Sequence, residues 1–375
     1  MRITAVIGSL AMGGAEKSMV QLCDWLSRAG HEVTLLTQRR KAPDYYTPPP
    51  GVRRRYLEGY APGSIRWLRV GAFLRRFAAM RRSILAEKPD LVISFSRFTN
   101  VETLLSLLFS GVPTIISERS DFNYERSDLT WCWRLLRRLS YPRASGVVFV
   151  VKPDPERVRS LLRAERIRII QNSVEPPVPQ DPQRPDWLGE RNIVSAGRLH
   201  PIKGYDRLIR AFAALAQNFP DWRLTIFGEG GERGALERLI QELGLEERIW
   251  LPGRVQTPQR LYGHFDFYAQ SSQVEGFCNA LTEGMAAGLP AVSTECSGPS
   301  TIIRHGVDGL LVPVGDVPAL GEALRRLMAD DELRRSMAAR APEVVQRFSE
   351  EDVKAQWIDL VERVVQRKRR SPSSA

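Results

Sequence analysis

Two carboxylates, Glu275 and Glu283, stand eight positions apart in the stretch SQVEGFCNALTEGMAAGLP, residues 272–290. With a helix from Asn279 onward, eight residues turn the chain through about 800°, little more than two turns of roughly 3.6 residues each. Both carboxylates can then address one elongated polar ligand. Gly276 lets a backbone N–H approach that ligand closely at the positive end of a helix. A solvated helix face with two ordinary glutamates has the same spacing. Arg198 and Lys203 flank a second turn, GRLHPIKG. Cations there can neutralise a diphosphate, the guanidinium by forking two oxygens and the ammonium as a point charge. Glycine pairs complete the inventory. Gly228 and Gly230 in FGEG permit close backbone approach, and Gly13-Gly14 in MGGAEKS opens a helix whose N-terminus suits an anion. Each is otherwise a plain turn.

These groups need strands and helices to hold them. RITAVIGSL reads as a buried parallel strand, followed by a glycine turn, a helix from about Ala15 to Ala29 stopped by Gly30, and a strand in HEVTLLT. Strand, turn, helix and strand make a βαβ unit, hence a parallel sheet covered by helices. A Pro- and Tyr-rich loop spans 42–51, an arginine-dense helix runs over 64–87, and PDLVISF, VPTIIS and ASGVVFVV continue the strands. Residues 152–170 read as a helix and a strand. After EPPVPQDPQRP a second α/β series begins: RNIVSAGRL, a helix over 206–218, WRLTIFGEG, a helix near 231–243, IWLPG, FDFYAQ and PAVSTE. The division is 1–172 for the first domain, 173–190 for a Pro-rich linker, and 191–348 for the second. A helix with Val353, Trp357, Leu360 and Val364 at helical spacing fills 349–370, and 371–375 is a disordered tail. The expected architecture is α/β, two Rossmann-like domains facing each other across a cleft, with the C-terminal helix packing back toward the N-terminal domain.

Composition bounds the function. The chain has 375 residues, 43% hydrophobic and 26% charged, which excludes wholesale disorder and favours two domains. Cys23, Cys132, Cys278 and Cys296 are far apart and the histidines number four, which argues against a zinc site or a disulfide framework. No Asp-x-Asp pair occurs, so a diphosphate is expected to be held without a metal, by fixed cations and helix N-termini. The N-terminus reads as a strand rather than a cleaved signal, and no stretch approaches the roughly 20 apolar residues of a membrane span. Net charge is +11, but residues 1–170 carry 29 Lys/Arg against 15 Asp/Glu, leaving a slightly acidic remainder. The first half therefore expects an anionic partner. Nucleic acid and an anionic membrane surface are the two candidates; RNA-binding aromatic signatures and zinc-finger spacings are missing, so the membrane surface is the expected partner and no nucleic acid is. In SIRWLRVGAFLRRFAAMRR (64–82), Trp67, Leu68, Phe73, Leu74, Phe77 and Met80 alternate with six arginines. Such a helix can lie in a membrane interface, and WCWRLLRR (131–138) offers a second surface of the kind. A helix packed on the sheet with solvated arginines is the alternative.

Taken together, GGAE, RAGHEVTLLT, Asn172-Ser173-Val174, GRL…KG, GEG, EGFCNALTEGMAAGLP and GVDGLLVP resemble the retaining glycosyltransferases of family four, over nearly the entire chain. The resemblance implies the two-domain GT-B fold and a nucleotide-sugar donor. It puts the first glutamate of the Glu275…Glu283 signature on the donor sugar and the second on the ribose, with Gly276, Phe277, Cys278 and Asn279 around them. It places the diphosphate on Arg198, Lys203 and the Gly13-Gly14 loop. Asn172 and Glu229 join the donor site, and Gly253, Arg254 and Val255 lie against the base. VISFSRFTNVETLL and TIISERSDF are most similar to members that move N-acetylgalactosamine onto polyprenyl-diphosphate-linked glycans. Many members carry a histidine where this chain reads Ser117-Glu118-Arg119-Ser120. Glu118 then hydrogen-bonds a sugar hydroxyl, or Arg119 approaches phosphate, or the two neighbours form a salt bridge. The expectation is a cytoplasmic, peripheral enzyme on the inner face of the membrane. It would transfer a hexose or N-acetylhexosamine from a UDP donor to a lipid-linked acceptor, with Glu275, Arg198, Lys203 and Glu118 as catalytic candidates and no cofactor. A soluble-acceptor transferase, a nucleotide-sugar epimerase of the same fold and, last, a nucleic-acid-binding module that would leave Glu275, Glu283 and the GEG turn without purpose are the other readings.

Overall fold

The computed structural model describes residues 1–38, 44–57, 70–122, 131–159 and 161–370, which form two compact units. One joins Met1–Asn172 to Glu351–Ala375; the other is Ser173–Glu350.

The first unit opens with β1 (Arg2–Ile7), α1 (Gly14–Arg28), β2 (Glu32–Thr37) and β3 (Val52–Tyr56). It continues through α2 (Val70–Ala86), β4 (Leu91–Phe95), α3 (Arg97–Ser106), β5 (Thr114–Glu118) and α4 (Trp131–Ser140). β6 (Gly146–Phe149), α5 (Pro155–Arg159) and β7 (Ile167–Ile169) complete its sheet, whose order is β3-β2-β1-β4-β5-β6-β7 with parallel pairing throughout. The central strands are apolar runs because helices cover both their faces. Ile3, Ala5 and Ile7 meet α1, and Val6 turns to the other face beside Met80 and Ile84 of α2. Strand β3 follows directly on the loop expected over 42–51, at residues to which the sequence reading assigned no element. Its Arg53, Arg54 and Arg55 hide the period-2 signal, because this edge strand buries little and pairs its cations with Glu32, Asp44 and Glu87. The helix expected after Lys152 is only the five residues of α5.

The second unit runs β8 (Arg191–Ala196), α6 (Tyr205–Ala213), β9 (Trp222–Phe227), α7 (Arg233–Glu242), β10 (Ile249–Gly253) and β11 (Phe267–Gln270). Next come α8 (Asn279–Ala286), β12 (Ala291–Thr294), α9 (Ser297–Ile302), β13 (Gly309–Val312), α10 (Val317–Ala329), α11 (Asp331–Arg340) and α12 (Val344–Arg347). Its six-stranded parallel sheet has the order β10-β9-β8-β11-β12-β13. Both sheets reverse direction of strand addition beside their first strand, the place where open α/β sheets take ligands at the carboxyl ends. The last helix, α13 (Glu350–Arg370), sets Val353, Trp357, Leu360, Val361 and Val364 into the core of the first unit, with Trp357 against Phe95 at 5.7 Å.

Candidate functional site

In the second unit the turn after β8 is clasped by the turn after β11. His200 Nδ1 accepts the Ile202 N–H at 3.2 Å, and Gly204 takes φ 62°, where a Cβ would stand 2.4 Å from the Ser271 carbonyl oxygen. Ser271 Oγ donates toward the carbonyls of Lys203 and Gly204 at 3.0 and 2.8 Å, and the Gln273 N–H binds the Ile202 carbonyl at 2.8 Å. So positioned, Lys203 Nζ forms an ion pair with Glu275 Oε1, which also accepts from Ser272 Oγ at 2.7 Å. The two side chains are 20% and 12% exposed. Burial works most strongly against the Lys203 charge, but Glu275 together with the neighbouring Cys278 and Tyr205 outweighs it and the ammonium pKa is raised. Two residues 72 apart in sequence thus form one charge-paired centre. Arg198 stands exposed at the end of the same strand and makes no ion pair among the described residues.

Helix α8 starts at Asn279 as its sequence suggests, with Cys278 as N-cap. Glu283, half-exposed on that helix, accepts from Gln259 Nε2 at 2.8 Å. The side chains of Phe277 and Cys278 turn inward. Phe277 packs edge-on against Phe348 at 5.2 Å, and Cys278 Sγ donates to Gln270 Oε1 at 2.7 Å while burial pushes its thiol up to about 12. What these two positions offer outward is backbone. Gly276 backs onto α9, where a Cβ on Gly298 would stand 1.9 Å from the Gly276 carbonyl oxygen.

The FGEG glycines have a structural reason the sequence did not suggest. A Cβ on Gly228 would lie 1.8 Å from the Gly197 carbonyl oxygen, and one on Gly230 would lie 2.1 Å from that of Leu199. They let two strand-end turns touch, main chain to main chain. Glu229 is clamped by Arg233 at 2.8 and 2.9 Å, and that hydrogen bonding holds its carboxyl below the usual range. Gly253, at φ 85°, passes close to Glu229 Oε1, and Val255 is half-buried two residues on.

In the first unit Gly13 is the N-cap of α1 and Gly14 its first residue. Glu16 folds back over that end, since a Cβ on Gly13 would meet its Oε2 at 2.3 Å. The positive end of α1 already faces a carboxylate. Glu118 is wholly buried, accepts a hydrogen bond from the Tyr141 hydroxyl, and makes no salt bridge with Arg119. Its side chain is buried beside Tyr141, in a cluster built from α3, β5 and β6, where the sequence reading had expected a group in reach of a sugar. Arg119 takes the other side of the strand, bonded to Asn172 Oδ1 and, at 3.4 Å, to Ser117 Oγ, with its guanidinium 4.8 Å from the Phe95 ring centre. Burial lowers its pKa. Asn172 is likewise buried. Ser272, Gln259 and Gln270 escaped the sequence reading; only Ser272, three residues before Glu275, had a spacing that could have flagged it.

The basic face is narrower than its composition suggests. Trp67, Leu68 and the side chain of Phe73 lie outside the described residues. Along α2, Arg76 pairs with buried Glu102, and Arg81 donates to the carbonyls of Ser106 and Leu108 at 2.9 and 2.8 Å. Met80 is core. Leu74, Arg75 and Arg82 are the exposed remainder. On α4, by contrast, Trp131, Leu135 and Leu139 are 70%, 45% and 50% exposed along one line, beside exposed Arg134 and Arg138. No helix among the described residues is long and apolar enough to cross a membrane.

Residues 12–177 match the family model described as Glycosyltransferase Family 4, and residues 179–344 match Glycosyl transferases group 1. The chain is 25% identical over 366 residues to the GalNAc-alpha-(1->4)-GalNAc-alpha-(1->3)-diNAcBac-PP-undecaprenol alpha-1,4-N-acetyl-D-galactosaminyltransferase of Campylobacter jejuni, covering 97% of this chain and 99% of that one. It is 32% identical over 246 residues to the lipopolysaccharide core biosynthesis glycosyltransferase LpsD of Rhizobium meliloti, covering 62% and 70%. Curated relatives differ in length; the match is 22% of one and 99% of another. Among solved structures, Anabaena Alr3699/HepE in complex with UDP and glucose superposes with TM-score 0.80 at 20% identity, over 96% of this chain and 99% of that one.

Proposed function

The chain belongs to glycosyltransferase family 4, and from that premise we propose that it moves a hexose or N-acetylhexosamine from a UDP donor to a lipid-linked glycan with retention of configuration. The observation that carries the reading is the Lys203–Glu275 pair, held by two interlocked turns at the carboxyl ends of β8 and β11, with exposed Arg198 in the first of those turns. Arg198 and Lys203 receive the diphosphate, and their fixed charge stabilises the leaving group without a metal. Glu275 orients the sugar hydroxyls, and Glu283, reached through α8, binds the ribose. The C1–O bond to phosphate breaks as C1 bonds to the acceptor oxygen, and the departing phosphate takes the acceptor's proton.

Support for the donor and acceptor classes comes from the relatives: the Campylobacter protein is named for an undecaprenyl-linked acceptor, and the Anabaena structure holds UDP. The exposed Trp131–Leu135–Leu139 line with Arg134 and Arg138 suits a peripheral stay on an anionic membrane, its apolar groups at headgroup depth and its cations on phosphate. The inner leaflet of the cytoplasmic membrane is the surface proposed.

A thermal-shift screen against UDP, GDP and ADP tests the donor. UDP is expected to stabilise the chain selectively, and Arg198→Ala to abolish the shift. Equal response to all three nucleotides, or none, refutes the UDP assignment. For the membrane, Trp131→Ser with Arg134→Glu and Arg138→Glu should release the protein from anionic liposomes; retention on them refutes that surface.

A further inference from the structure

Neutral hydroxyls grip the paired centre of the second unit from both ends. Glu275 Oε1 offers two lone pairs, and Lys203 Nζ and Ser272 Oγ occupy both. Oε2 of the same carboxylate takes no hydrogen bond among the described residues. One oxygen is therefore filled by the protein, and the other is left for a ligand. Ser272 is wholly buried and is itself anchored, because Thr294 Oγ1 at the end of β12 donates to its carbonyl at 2.5 Å. Its hydroxyl has little freedom to turn away from Glu275.

Tyr205 stands at the other end, as the first residue of α6. Its ring packs into the core of the unit. The hydroxyl, however, reaches back to the turn after β8, where a Cβ on Gly197 would meet Tyr205 Oη at 2.7 Å, Lys203 Cε at 3.4 Å and Lys203 Nζ at 3.5 Å. Phenol oxygen and ammonium so converge on one glycine. Burial raises the Tyr205 hydroxyl pKa, with the Lys203 charge working the other way. The phenol thus stays neutral, and its oxygen is an acceptor available to the ammonium.

A nucleotide diphosphate carries more negative charge than one carboxylate, so it competes with Glu275 for Lys203. As the cation turns to phosphate, each member of the pair loses part of its hold on the other. We propose that Ser272 and Tyr205 are positioning residues that carry the pair through this exchange: Ser272 keeps Glu275 aimed at the sugar, and Tyr205 keeps Lys203 aimed at the diphosphate. Neither side chain need touch the substrate. Their effects separate accordingly, Ser272 acting on the sugar and Tyr205 on the phosphates. This deepens, and rests on, the nucleotide-sugar reading of the same site.

The test is calorimetric titration of the full chain with UDP, UDP-glucose and UDP-N-acetylgalactosamine. In Ser272→Ala, UDP affinity is expected to stay within about twofold, while the tighter-binding sugar nucleotide weakens by about fivefold or more, the worth of one hydrogen bond. Ser272→Thr, which restores the hydroxyl, is expected to recover that loss. Tyr205→Phe should weaken UDP and the sugar nucleotide alike, by about fivefold. In a Lys203→Met background, where Arg198 still holds the diphosphate, it should cost nothing further. A purely structural role produces neither the split nor the recovery. Equal losses of UDP and sugar nucleotide in Ser272→Ala overturn the proposal, as does an additive loss for Tyr205→Phe on Lys203→Met. Should Ser272→Ala fail to fold, Ser272→Cys decides, being close in shape and a weaker donor. An unsubstituted chain that binds no UDP overturns the donor reading and the proposal together. One that binds UDP but neither sugar nucleotide, or whose variants bind unchanged, overturns the proposal alone.

Discussion

Replacing Glu275 by Gln removes one charge and almost no volume, which makes it a sharp probe of the paired centre. Lys203 and Glu275 retain 20% and 12% of their side-chain surface in water. Removing one member of a buried ion pair costs about 3–5 kcal/mol, because the other charge is left without its partner. Partial exposure lets water screen the orphan, so about 2–3 kcal/mol is the expected loss, and Lys203→Met should lose about as much. The double variant leaves no orphan charge and should recover at least half of the summed loss, a coupling of at least about 2–3 kcal/mol. Scanning calorimetry of the four proteins gives that coupling from the transition that UDP shifts. A second consequence runs against simple loss of contacts. With Glu275 neutral, Lys203 has no resident counter-ion, so Glu275→Gln should bind UDP at least as tightly as the parent while turnover falls. Additive stabilities, or a tenfold weaker UDP complex in Glu275→Gln, would refute the pairing argument.

Two further outcomes follow from side-chain placement. Glu283→Ala should raise the donor KM with little change in kcat, and Gln259→Ala should do the same more weakly, since it only orients that carboxylate. Steady-state kinetics check both, and a selective fall in kcat would put Glu283 on the reacting centre instead. Burial raises the Glu102 carboxyl from 4.5 to about 7 against the pull of Arg76, so the folded chain keeps a proton that the unfolded chain has released. Its contribution is full below the unfolded value and is lost as pH rises toward 7, about 3 kcal/mol in all. Melting temperature against pH should therefore flatten in Glu102→Gln across that window; an unchanged slope refutes it.

The strands were legible because parallel strands covered on both faces are plain apolar runs, and the turns that bring Lys203 to Glu275 were legible because both follow strand ends, with Glu283 on the helix that comes next. What sequence withheld depends on direction rather than position. Glu118 and Arg119 are neighbours, yet alternation along β5 sends one into the core and the other toward the sheet edge, and no local pattern says which. Composition also overstated the basic surface: Arg76 and Arg81 look like their neighbours in sequence but are committed to Glu102 and to the last carbonyls around α3. The Gly228 and Gly230 contacts join turns some thirty residues apart, invisible until both are folded.

The helix α13 closes the core of a unit whose other parts end at Asn172. During synthesis the ribosome must therefore make all of residues 173–350 before that core can be completed. At about 5–20 residues per second, the wait is roughly ten to forty seconds. For that interval the surface destined for Trp357, Leu360 and Val361 stands open on a nascent chain, while the second unit, continuous in sequence, can fold as it emerges. The first unit synthesised is thus the last one finished, and the delay makes it the part of the nascent protein with most need of a chaperone.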